Sequence, residues 1–232
     1  MSANNLTKSK VLISHLGLVE YLPTWELQKN LAADLVDGKG QNTLLLLQHP
    51  SVYTAGRRTE DSERPQNGVQ VVDVDRGGKI TWHGVGQLVG YPIIQLKNPT
   101  DVVGFVREIE SALIDLCADL GITTERVCER SGVWVKDVNG DRKIAAIGIR
   151  VAKGVTTHGF AINVNPDLSA YEQIIPCGIT DAGVTSIAKE LGRDVSIDEI
   201  MPLVEKHILP ALDRVAADRV TADRGTADRV TV

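Results

Sequence analysis

Twelve consecutive residues, Arg76-Gly77-Gly78-Lys79-Ile80-Thr81-Trp82-His83-Gly84-Val85-Gly86-Gln87, hold four glycines, two cations, a hydroxyl, an indole and an imidazole. Glycine admits positive φ and lets backbone N–H groups come close to a ligand. The other side chains offer charge, hydrogen bonds and an apolar wall, a mixture that a core segment does not need and a binding site does. Short strand-like runs cover Lys79 to Trp82 and Leu88 to Leu96. The fold must therefore present a glycine-rich loop between strands.

The rest of the chain continues this strand-rich pattern. Residues 11–18 read as a strand, and Thr43 to Leu47 is an apolar run too short for a helix, hence a buried strand. Val69 to Val74 reads as a further short strand, after a charged loop over 56–70. Pro92 cannot donate to a ladder and places Leu88–Leu96 at an edge or a bulge. Residues 126–135 and 143–165 are strand-rich, with Cys128 in the first run and Lys153-Gly154 as a hairpin turn in the second. Apolar periodicity predicts helices over Tyr21–Leu35, Thr100–Leu120 and 184–191, and a last one from the Ser196 capping box to about Leu212. Strands in succession with few helices point to α+β with a mixed or antiparallel sheet, in one large domain or two small ones. The folded part is expected over 11–213, after a flexible 1–10. The repetitive Ala-Asp-Arg segment 214–232 is expected to be a poorly ordered tail.

The formal net charge of −5 argues against broad binding to nucleic acid. A local basic patch from Arg57, Arg58, Arg76 and Lys79 could still meet an acidic partner, although loop arginines are usually just solvated. Three cysteines without CxxC spacing disfavour a zinc site and fit a reducing compartment. The polar N-terminus lacks a signal-peptide run, and no stretch reaches transmembrane length. A cytoplasmic protein that does not enter membranes is expected.

Cys177 lies in Pro176-Cys177-Gly178, which excludes the middle of a helix. It could be buried filler, a disulfide partner of Cys117 or Cys128, or a nucleophile presented to a cleft. Cys117 falls on a helical apolar face and reads as core. A nucleophilic thiol, with an unperturbed pKa of ~8.5, needs a neighbouring cation or base. Lys143, at the start of Ile144-Ala145-Ala146-Ile147-Gly148, is a candidate, as is the bland reading of a solvated lysine. His83 and His158, each before a glycine, could orient a substrate or act as a base; a Cys/His pair would make a thiol hydrolase. Neither GxGxxG nor GxxxxGK[ST] spacing occurs, so a nucleotide loop is weakly supported.

Arg76-Gly77-Gly78 with Thr81, His83-Gly84, Gly86 and Gln87 resembles the signature of the lipoyl(octanoyl) transferase family. The likeness continues in order through Lys143-Ile144-Ala145-Ala146-Ile147-Gly148, His158-Gly159-Phe160-Ala161 with Asn163, and Pro176-Cys177-Gly178-Ile179 with Thr185-Ser186. The resemblance implies a single domain, the α+β catalytic domain of biotin protein ligases and lipoate ligases. It implies octanoyl (or lipoyl) transfer from acyl carrier protein to a lysine of lipoyl domains, in 2-oxo-acid dehydrogenase complexes and the glycine cleavage H protein, as the first step of protein lipoylation. No cofactor is implied: no ATP and no metal. Cys177 matches the family's acyl-thioester nucleophile and Lys143 its dyad partner. The substrate pocket is implied at Arg76, Gly77, Gly78, Lys79, Ile80, Thr81, Trp82, His83, Ala146, Ile147, Gly148, Gly159, Phe160 and Ala161, with Trp82, Tyr91 and Phe160 as candidate walls. Val85 stands where many relatives have proline, and the Ala-Asp-Arg tail is outside the family pattern. The rival readings are an ATP-dependent ligase of the same fold, a cysteine hydrolase, and a non-catalytic acyl binder.

Overall fold

The computed structural model describes residues 9–66, 68–138, 140–174 and 182–218. The residues expected to form the flexible start (1–8) and most of the tail (219–232) lie outside it, as does Cys177. The strands are β1 (Leu12–Leu18), β2 (Thr43–Gln48), β3 (Val52–Ala55), β4 (Val71–Asp73), β5 (Thr81–His83), β6 (Gln87–Ile93), β7 (Glu125–Val127), β8 (Arg130–Val135), β9 (Arg142–Ala152), β10 (Val155–Asn163) and β11 (Gly183–Val184). The helices are α1 (Tyr21–Val36), α2 (Val102–Asp119), α3 (Ile187–Leu191) and α4 (Ile197–Val215).

A large mixed sheet runs β1-β2-β6-β10-β9-β8-β7, with β11 also paired to β9; a small sheet runs β4-β3-β5. The chain is thus α+β, with parallel pairs at β1/β2, β3/β4 and β9/β11 among antiparallel ones. In β2 the period-2 alternation buries both faces. Leu44 and Leu46 join the core under α2 and α4, while Leu45 and Leu47 join the cluster under α1. Each fully buried leucine contributes about 1.5–3 kcal/mol. α2 begins where the Asp101 carboxylate accepts from Gly104 N at 2.8 Å, and α4 where Ser196 Oγ accepts from Glu199 N. The β9–β10 hairpin turns on Lys153 and Gly154, both at positive φ (51° and 79°).

Three local expectations change. First, β6 is a central strand, between β2 and β10, despite Pro92. In the β6–β10 register Pro92 faces His158, with ladder pairing on either side at Gly90–Phe160 and the Gln95–Val155 bridge. Proline has no N–H to give. The His158 N–H leaves the ladder for Gln28 Oε1 at 2.7 Å, and Pro92 O accepts from Thr156 Oγ1 instead. His158 takes φ 58° as a result. Gly159 follows because a Cβ there would lie 2.0 Å from Gly90 O. Second, Cys128 is not in a strand. It sits exposed in the turn between β7 and β8, where Glu129 has φ 61°. Third, α4 continues past Leu212 to Val215, and the chain stays packed beyond it: Ala216 is fully buried and Ala217 N donates to Gln95 O at 2.8 Å.

Candidate active site

The glycine-rich run is fastened to both sheets. Arg57 N and Arg58 N donate to Arg76 O and Gly78 O, extending the small sheet, while Gly77 N donates to Ile149 O on β9 at 3.0 Å. Gly78 turns at φ 85°. The buried Arg76 guanidinium is a strut. It donates to Thr54 O (2.8 Å), Thr54 Oγ1 (2.9 Å) and Lys79 O (2.8 Å). Beyond it, alternation decides which residues see the site. Lys79, Thr81 and His83 face a cavity, whereas Ile80 and Trp82 face the opposite way, into a cluster with Tyr53, Tyr171 and Ile174. Trp82 Nε1 donates to Ser51 Oγ at 2.9 Å.

The opposite wall comes from β9 and β10. Ala146, Ile147 and Gly148 line it from one strand, Gly159, Phe160 and Ala161 from the other. Lys143, at the start of β9, also lines the cavity. It is 8% exposed, and its Nζ lies 4.6 Å from the centroid of the Trp134 ring on β8, a cation–π contact. β11 pairs Val184 with Lys143, and Thr185 N donates to Lys143 O. The strand that carries Lys143 thereby holds the segment that follows Cys177 in sequence.

Two imidazoles complete the interior, both neutral. His83 Nδ1 donates to Gln87 Oε1 at 2.7 Å, an orientation set because Gln87 Nε2 is committed to Asn163 Oδ1 and Tyr171 OH. Burial pushes His83 down to about 3, aided by His49 and the Arg76 charge. His158 Nε2 donates to Asp75 Oδ1 at 2.8 Å, and Arg150 grips the other Asp75 oxygen. Burial, with Arg76 and Arg150, pushes His158 down to about 3. An unfolded histidine titrates near 6.5. Below that pH the unfolded chain takes up protons that the native imidazoles refuse, so stability falls as pH drops from about 6.5 toward 3. The urea midpoint followed against pH should show this slope. It should be shallower in His83→Gln, and an unchanged slope would mean that His83 is charged in the fold.

The cavity, open at one side, has a volume of about 220 Å³. Its apolar wall includes Tyr21 of α1, Tyr91 of β6, Ala146 and Ala161, while the Ile147 and Phe160 side chains that border it pack on the other sheet face, in the core under α2 and α4. Burial raises the Tyr21 hydroxyl to about 12, so it stays protonated. Among the described residues no group of His, Cys, Asp and Glu is arranged to hold a metal ion, and no helix is long and apolar enough to cross a membrane.

Residues 20–209 match the lipoyl protein ligase A/B catalytic domain. An octanoyltransferase of Mycolicibacterium smegmatis is 57% identical over 215 residues, covering 92% of this chain and 94% of the relative. The chain belongs to the octanoyltransferase family. Octanoyltransferases are acyltransferases, and this chain is one. The fold is shared more widely. A lipoate-protein ligase A solved with ATP bound superposes with a TM-score of 0.63 at 17% identity, covering 88% of this chain and 85% of that one. A biotin protein ligase from Aquifex aeolicus, solved with biotin and ATP, gives 0.51 at 15% identity, covering 88% and 71%.

In this octanoyltransferase, most of the residues expected to form a pocket line one cavity although they come from segments far apart in sequence. Gly77, Ile80 and Trp82 do not line it: Gly77 is turned to β9, and the other two occupy the far side of their strand. Cys177 is outside the described residues, but its flanks are placed. Ile174 packs with Trp82 and Tyr171, and Gly183 and Val184 pair with Arg142 and Lys143. Sequence reasoning missed Tyr21, Gln28 and Asp75, none of which sits in a motif. It also missed Glu129 in the β7–β8 turn and Arg130 and Ser131 at the start of β8 as lining residues.

Proposed function

We propose that this octanoyltransferase moves an octanoyl (or lipoyl) group from acyl carrier protein to a lysine of a lipoyl domain, through an acyl-thioester on Cys177, in the cytoplasm and without ATP or metal. The acceptors are the lipoyl domains of 2-oxo-acid dehydrogenase complexes and the glycine cleavage H protein. The observation that carries this reading is the single cavity that Lys143 lines together with an apolar wall built from Tyr21, Tyr91, Ala146 and Ala161. An acyl chain gains about 0.8 kcal/mol per methylene buried there.

In the first half-reaction Lys143 takes the Cys177 proton, and the thiolate attacks the donor's carbonyl carbon. The carrier thiolate leaves and takes that proton from Lys143. The exchange is one thioester for another, nearly isoenergetic. In the second half-reaction the acceptor amine attacks the Cys177 thioester, its proton passes to Lys143, and the Cys177 thiolate departs. An amide forms, which is more stable than a thioester, so no nucleotide has to drive the step. The interior supports an amine rather than an imidazole as the base. His83 and His158 each have one nitrogen committed to a hydrogen bond and are pushed down to about 3, too weak a base to hold a thiol's proton near neutrality.

Octanoyl-carrier protein and apo lipoyl domain should give the octanoyl amide with no ATP present. Intact-mass spectrometry with donor alone should show one octanoyl adduct, discharged on adding apo domain, the mark of a ping-pong reaction. Strict dependence on ATP with free octanoate would replace this reading with a ligase. Octanoate release at one rate with or without lipoyl domain would replace it with a hydrolase.

A further inference from the structure

The cavity has a charged rim that an acyl chain alone does not require. Its interior combines the aromatic Tyr21 and Tyr91 with the buried His83, His158, Arg76 and Lys143, while its rim carries the exposed Arg58 together with Lys79, Arg130 and a single carboxylate, Glu129. The whole chain, by contrast, has a formal net charge of −5. The Lys79 ammonium is already matched by Glu60 and Glu63. Arg58 differs. Its backbone N–H is tied to Gly78 O at 3.1 Å, fixing it on the glycine-rich loop, yet its guanidinium makes no ion pair or hydrogen bond with any described residue. A cavity that offers an apolar wall within and an exposed cation at its rim fits a ligand that is apolar at one end and anionic at the other.

We propose that Arg58 is the anion-binding residue of a donor subsite and contacts the phosphodiester of the phosphopantetheine arm that carries the acyl group. The inference rests on the acyl-carrier reading above. With the acyl tail on Tyr91 and Ala161, the thioester lies toward Lys143 and the arm runs out across the rim, where the phosphodiester is its only charged group. A guanidinium presents paired N–H donors that match phosphate oxygens, and its charge-assisted hydrogen bonds are the stronger kind. Arg57, its neighbour in the same exposed turn, does not line the cavity and serves as the matched control.

The test uses two non-transferable thioethers, S-octyl-4′-phosphopantetheine and S-octyl-pantetheine, titrated by calorimetry into the full chain. The wild type should bind the phosphorylated compound about 10- to 100-fold more tightly. That advantage should vanish in Arg58→Gln and persist in Arg57→Gln, with S-octyl-pantetheine affinity the same in all three. No phosphate advantage in the wild type, or an undiminished one in Arg58→Gln, overturns the subsite. An Arg58 effect seen only with octyl-carrier protein overturns it too, in favour of a contact with the carrier's own carboxylates. Displacement of the phosphorylated thioether by ATP at lower concentration than by phosphopantetheine would reassign the rim to a nucleotide. Because the thioethers cannot react, binding as predicted with no octanoyl transfer would leave the subsite standing while the transferase reading fell.

Discussion

Replacing Cys177 with alanine is expected to lower octanoyl transfer by about four orders of magnitude or more and to abolish the octanoyl adduct. The covalent route divides one aminolysis into two exchanges at a sulfur. Without that sulfur, only the cavity's positioning of donor and acceptor remains. The other cysteines cannot substitute. Cys117 is fully buried on α2, and burial pushes its thiol up to about 12. Cys128 is exposed in the β7–β8 turn and does not itself line the cavity, although its neighbours Glu129 and Arg130 do. Intact-mass spectrometry of Cys177→Ala with octanoyl donor, beside Cys128→Ala as control, reads the outcome directly. An adduct that forms on Cys177→Ala at the wild-type rate would end the assignment. An unchanged thermal midpoint would show that the loss is chemical.

The elements that local chemistry specifies were legible in the sequence. α2 could be read because its cap and apolar face lie within a few turns of one another, and the β9–β10 turn because Lys153-Gly154 favours that geometry unaided. What failed depended on partners distant in the chain. Pro92, which has no N–H for the strand opposite, argues against a central strand until Gln28, on α1, is known to receive the His158 N–H where the ladder is interrupted. α4, by contrast, is legible from its Ser196 cap; Pro202 and Pro210 sit inside it, and its buried Ile200, Val204, Ile208 and Leu212 outweigh the local cost. The site divides along the same line. The glycine-rich run and the Lys143 strand stood out by composition. Which of their side chains face the cavity was decided by strand alternation, which turned Ile80 and Trp82 away. The Asp75–His158 and Arg76–Thr54 contacts join residues 83 and 22 positions apart, and nothing in either segment announces the other.

Substituting Lys143 by methionine should lower kcat by about 10²- to 10⁴-fold, the usual worth of a positioned acid–base group, with donor KM within a few-fold of wild type. Methionine keeps an unbranched apolar stem against Trp134 and beside Gly132, where the Lys143 chain now lies, so the wall survives while the titratable nitrogen is lost. The acyl wall at Tyr91 and Ala161 is untouched, which is why binding should hold. The deficit should also shrink as pH rises. A cysteine without its amine ionises near its ordinary value of ~8.5, so alkaline buffer supplies the thiolate that Lys143 otherwise provides. Lys143→Arg separates the two duties of the amine. Arginine keeps the positive charge but does not release a proton in this range. If charge stabilisation of the thiolate dominates, the variant still forms the octanoyl adduct and stalls at aminolysis. If proton transfer matters in both halves, adduct formation slows as well. Single-turnover acylation and discharge, followed by intact mass across pH 6 to 10, resolve these cases, and near wild-type turnover in Lys143→Met would dismiss the dyad.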